Sequence, residues 1–112
     1  MFRTQRIYEP ATPADGYRVL VDRIWPRGVS KERAHLDLWL KDVAPSSELR
    51  EWFAHRSERF NEFESRYESE LETNPAVDRL RKLGGEHPVV TLLFGAKDEA
   101  RNQAVVLARY LG

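Results

Sequence analysis

PVVTLLFGAKD, residues 88–98, carries an almost unbroken apolar run from Val89 to Phe94, bracketed by Pro88 and Gly95. A strand that is apolar on both faces must be covered on both, which is how strands read in a parallel sheet flanked by helices. A second strand of this kind would settle the class, and RVLVDR, residues 18–23, supplies one. There Val19, Leu20 and Val21 follow the turn signal Asp15-Gly16 and end in charge. FRTQRIY near the N-terminus is a weaker strand candidate, joined to RVLVDR through the loop EPATPADG and able to lie beside it. HLDLWLK, residues 35–41, alternates Leu36, Leu38 and Leu40 with Asp37, Trp39 and Lys41. That period of two suits a half-buried strand, with a helix as the alternative.

Helical periodicity fills the intervals. In APSSELREWFAH, Ser46 is placed as an N-cap, Glu48 sits where the helix dipole favours negative charge, and Leu49, Trp52 and Phe53 share a face, with Trp52 expected in the core. Phe60, Phe63, Tyr67 and Leu71 recur at spacings of three and four. In NPAVDRLRKLGG, Asn74 is a cap, Pro75 the first helical residue, Val77, Leu80 and Leu83 the stripe, and Gly84 the expected terminator. Asp98 is expected to cap a last helix reaching Leu111, whose face is Ala100, Ala104, Leu107, Ala108 and Leu111. These elements predict an α/β protein: a small open, mostly parallel three-layer sheet of three to four strands with helices on its faces. At 112 residues the chain forms one domain.

Eighteen basic and eighteen acidic residues cancel, so no global field draws the protein to polyanions or anionic lipid. Cysteine is absent, which removes thiol chemistry and disulfides and fits a reducing compartment. No apolar run approaches the ~20 residues of a membrane span and the N-terminus lacks a signal core, so the expectation is a cytoplasmic protein without membrane contact. No phosphate loop, dinucleotide fingerprint, serine elbow or His/carboxylate ligand spacing occurs, so neither cofactor nor metal is expected.

What remains is a concentration of costly side chains at the ends of the two strands. Val21 gives way to Asp22 and Arg23, and Phe94 to Gly95, Lys97 and Asp98. Parallel strands would bring these to one rim, where ligands gather in such sheets. Between Trp25 and Gly28, Pro26 fixes one φ and Gly28 permits a positive one, aiming Arg27. Guanidinium groups so placed suit a carboxylate or phosphate. Each piece also has a plainer reading: Asp98 as a helix cap, Asp22 and Arg23 as a local pair, Trp25 as a loop anchor, His55 as a helix-end group.

The runs DGYRVLVDRIWPRG, LWLKDVAPSSELREWFAH and TLLFGAKDEARNQAVVLARYL resemble the YeaO-like family of small bacterial proteins, a domain of unknown function, over nearly the whole chain. The resemblance is carried by Asp22, Arg23, Trp25, Pro26, Arg27 and Gly28, by Trp39, Lys41, Ala44 to Ser46, Arg50, Trp52, Phe53 and His55, and by Ala96, Lys97, Asp98 and Asn102. It implies a compact α/β domain in bacteria and names no substrate.

The expected function is binding of a small anionic ligand, with or without acid/base chemistry. Arg23, Arg27 and Lys41 would hold the anion, with Arg50 or Lys97 as further contacts. Trp25 and Trp39 would form walls, and Asn102 would orient a polar group. Asp22, Asp98 and His55 are the acid/base candidates, His55 because imidazole changes charge closest to neutral pH. The rival is a nucleic-acid or regulatory binding module using the same cations on phosphates, which overall neutrality disfavours. Oligomeric state is left open.

Overall fold

The computed structural model describes all of residues 1–112. Four strands, β1 (Phe2–Arg6), β2 (Tyr17–Leu20), β3 (Leu38–Trp39) and β4 (Val90–Phe94), form one sheet in the order β1-β4-β2-β3. Every neighbouring pair is parallel, so the α/β expectation holds with a sheet that is wholly parallel. β4 is buried at all of its residues and lies between β1 and β2, as a strand apolar on both faces requires. β1 therefore does not lie beside β2. Its residues are all half-buried, which suits an edge. The alternating leucines of residues 35–41 yield only the two-residue β3.

The two faces are covered unequally. Val19, Val21, Val90, Leu92 and Phe94 point into the larger core together with side chains of α2 (Ser47–Phe53), α3 (Phe60–Leu71), α4 (Ala76–Glu86) and α5 (Gln103–Leu111). Period-two alternation sends Leu20 and Leu93 to the opposite face, where they meet Ile7 and Ala34 of α1 (Lys31–Ala34), with Trp25, Val29, Leu36 and Trp39 around them. A four-residue helix and its loops are thus the third layer. This thin layer also buries an ion pair, Arg18 to Asp15 at 2.5 Å.

Helix α3 buries its expected stripe in full: Phe60, Phe63, Tyr67 and Leu71. Trp52 departs from expectation. Only one of two adjacent aromatic residues on α2 can face the core, and Phe53 takes that place, stacking on Phe63 at 4.3 Å between centroids. Trp52 stays half-buried under the guanidinium groups of Arg59 and Arg66, 5.1 and 4.4 Å from its ring.

Gly84 does not end α4, which runs on to Glu86. The stop is Pro88, which forces His87 out of the helical region, to φ −127° and ψ 135°. Gly84 serves packing instead: a Cβ there would lie 2.6 Å from Cζ of Phe2.

The last helix begins at Gln103 and its cap is Asn102, not Asp98. Asp98 accepts from the amides of Ala100 and Arg101 at 2.9 and 3.0 Å, closing a turn that delays the helix and leaves Ala100 exposed. Asn102 accepts from Val105 N at 3.0 Å and donates to Asp98 O at 2.9 Å. Because this side chain is buried, Asn102→Ala should cost about 2 kcal/mol, the upper end for a lost cap. Chemical denaturation would check this; a loss near zero would mean that water replaces both bonds. No helix is long and apolar enough to cross a membrane.

Candidate functional site

Four parallel strands put all their carboxyl ends on one rim. After β2 the chain turns to the thin layer and α1, whereas after the adjacent β4 it turns to the opposite face and α5. Diverging connections leave a crevice between the two strand ends, the place where open parallel sheets hold ligands. A cleft of about 280 Å³ opens there.

Residues following β2 build one wall. Pro26 is buried and Gly28 takes φ +80°, so the turn bends as its sequence demands. The hydroxyl of Tyr8, just beyond β1, donates to Arg27 O at 2.8 Å. Arg27 thus has a fixed backbone and an exposed side chain. The Arg23 guanidinium donates to Pro45 O at 3.3 Å and Ala44 O at 3.2 Å, tying this wall to the start of α2. Arg50 lines the cleft from α2. Apolar surface comes from Trp25, Phe53 and Phe63.

Asp22 sits at the bottom of the crevice and bonds across it. Its carboxylate accepts from Gly95 N at 2.9 Å and from the side-chain amide of Gln103, joining the ends of β2 and β4 to α5. Burial pushes its pKa up from 3.8 to about 6, against the pull of those two bonds. It forms no ion pair with Arg23: the five ion pairs of the chain involve none of Arg23, Arg27, Arg50, Lys41 and Lys97.

His55 closes the opposite side. Ala54 and His55 both adopt left-handed backbone, φ +46° and +57°, which costs about 1–3 kcal/mol per non-glycine residue and concentrates at functional positions. The bend turns the chain sharply off α2 and leaves the His55 imidazole exposed at the cleft.

Of the residues anticipated from sequence, Asp22, Arg23, Trp25, Arg27, Arg50 and His55 therefore meet at one cleft. Trp39 and Lys41 stand behind it. The Trp39 indole donates to Asp22 O at 2.7 Å, packs edge-on against Trp25 at 5.3 Å, and carries Lys41 Nζ at 4.6 Å over its ring. Trp25 in turn donates to Val29 O at 2.7 Å, so both indoles brace the turn. Lys97 and Asp98 line an adjoining hollow. The Asp98 carboxyl is held below the usual carboxylate range, first by the Ala100 amide. Asn102 is spent as a buried cap. No group of three His, Cys, Asp or Glu side chains is placed to hold a metal ion.

Gln103 and Tyr8 belong to the cleft although no motif marks them as site residues, and Phe63, expected only in a core stripe, lines it as well. Tyr8 follows a strand end and was reachable by the rim argument once β1 joined the sheet. Gln103 carries no motif, and only the packing of α5 brings it to Asp22.

Residues 1–112 match the family described as "Inactive DUF488-N3 subclade". The uncharacterised protein Rv3073c of Mycobacterium tuberculosis is 52% identical over 109 residues, which is 97% of this chain and 92% of that one. The uncharacterised protein YeaO of Escherichia coli is 42% identical over 108 residues, 96% and 93% of the two chains. No solved structure matches. With a match along its entire length, and relatives this similar that span the same domain, the chain belongs to the inactive DUF488-N3 subclade, the family of YeaO-like proteins.

Proposed function

We propose that the rim cleft binds a small molecule bearing phosphate or carboxylate, and that its task is recognition. One observation carries this reading: Arg23, Arg27 and Arg50 line a single apolar-walled cleft, and none is matched by a carboxylate. A phosphate or carboxylate entering among them would accept charge-assisted, two-point hydrogen bonds from these guanidinium groups. The position of the cleft, between two adjacent strands whose connections diverge, supports the same reading. The subclade's description as inactive favours binding over turnover. So does the chemistry of the acids: Asp98 is tied into a turn and Asp22 into a bridge between elements.

Calorimetric titration with sulfate tests the reading, since sulfate keeps its charge throughout the useful pH range. Arg27→Ala should weaken binding by about tenfold to a hundredfold, the worth of a lost charged hydrogen-bond pair. The unfolding midpoint should barely move, because the side chain is exposed. Unchanged affinity in the folded variant would defeat the reading. Binding that grows with oligonucleotide length and collapses with salt would replace it with a nucleic-acid module.

A further inference from the structure

Beyond the rim cleft, on the far side of His55, lies a second hollow of about 410 Å³. Phe53, His55, Gly95 and Ala96 line both spaces. The two spaces therefore share a boundary made of the Phe53 ring, the exposed His55 imidazole and the small residues Gly95 and Ala96. Gly95 is closely surrounded: a Cβ there would lie 3.0 Å from the Asp22 carboxylate and 3.2 Å from Pro26, so a larger residue would need these neighbours to give by a few tenths of an ångström.

The second hollow is also lined by cations, although one of them, Arg101, is paired there with Asp98. Lys97 and Arg101 line it beside Ser57. Its one acid, Asp98, spends its oxygens on the Ala100 and Arg101 amides and on Arg101 Nη1 at 3.4 Å. Lys97 forms no ion pair, and Arg101 keeps its other nitrogens free of carboxylate. Two cationic ends thus flank a waist of apolar and small residues, with His55 held between them by the left-handed backbone at Ala54 and His55.

We infer that the two hollows form one site for an elongated ligand that bears an anionic group at each end and a narrow middle lying over Phe53, Gly95 and Ala96. The inference rests on the anion reading of the rim cleft and adds the ligand's shape and second charge. One end sits among Arg23, Arg27 and Arg50, and the other meets Lys97 and Arg101. A single anion would leave the second cationic end unfilled, whereas joining two anions makes the second contact intramolecular and raises affinity only when the tether spans both ends.

The test is a calorimetric series of α,ω-alkanediol bisphosphates of two to eight carbons against alkyl monophosphates of the same lengths, at fixed pH and salt. One intermediate length should bind about tenfold or more tighter than its monophosphate, with shorter and longer tethers falling away. The double variant K97A/R101A should erase that optimum while monophosphate affinity holds. Both side chains are exposed, so the fold should survive. Monophosphate binding with no length optimum for the bisphosphates would overturn this inference and leave the rim-cleft reading standing. An optimum that persists in the double variant would likewise overturn it, and failure of every phosphate to bind would remove both.

Discussion

Arg18→Ala is expected to destabilise the domain by about 3–5 kcal/mol, the cost of removing one partner of a buried ion pair. Arg18 lies mid-strand in β2 and is only 4% exposed. Its guanidinium donates to Asp15 at 2.5 Å, to Ala34 O at 2.9 Å and to His35 O at 3.2 Å. It thereby holds the C-terminal end of α1 against this sheet face, beside Ile7, Trp25, Val29, Leu36 and Trp39. Asp15, 1% exposed, would keep only the amide and hydroxyl of Thr12 as donors. Burial by itself would raise the Asp15 carboxyl, but the Thr12 amide and the Arg18 guanidinium outweigh it and hold the pKa below 3.8. That contribution is present at neutral pH and is lost as pH falls through the depressed value. Against a typical domain stability of about 5–15 kcal/mol, the variant should be marginal. Urea denaturation would measure the loss, and replacing the pair together, as D15L/R18M, should restore part of it by leaving no buried carboxylate alone. A loss under about 1 kcal/mol for Arg18→Ala would mean that the thin layer contributes little to stability.

That pair also marks where the sequence stops being readable. Apolar runs announced β2 and β4, and periodicity announced α3, because burial over many residues leaves a repeated signal. Arg18 looks from sequence like the charged edge of an apolar run, since a buried charge is recognisable only by partners that lie elsewhere: Asp15 one turn before and the carbonyls of α1 many residues later. Helix ends show the same limit. Asp98 and Asn102 are both good caps, and the choice between them is made by packing, which buries Asn102 and leaves Asp98 in solvent. The rim was legible because parallel strands force their carboxyl ends together whatever the order. The order itself was not, for β1 pairs with β4 across almost the whole chain, a contact with no local signature. Within the site, the cations were visible as charges beside strand ends, while Gln103, which bonds the Asp22 carboxylate, carries a side chain indistinguishable in sequence from any exposed glutamine.

Asp22→Asn should stabilise the protein at pH 8 and leave it nearly unchanged at pH 4. Burial raises this carboxyl from 3.8 to about 6, so between those values the folded chain binds more protons than the unfolded one and stability falls as pH rises. Ionising the group in the folded state costs about 3 kcal/mol on this account. Asparagine keeps the shape, can still accept from Gly95 N, and can donate to the Gln103 side chain once that amide turns over, without a charge to bury. The difference in unfolding free energy between variant and wild type should therefore grow by about 2–3 kcal/mol from pH 4 to pH 8. The same carboxylate faces the cleft and repels an entering anion, so wild-type affinity for sulfate should strengthen as pH drops through about 6, and Asp22→Asn should strengthen it at pH 8 and flatten that profile. A variant less stable than wild type at every pH would show that the negative charge of Asp22 holds β2, β4 and α5 together more than its burial strains them, and the carboxylate would then be scaffold.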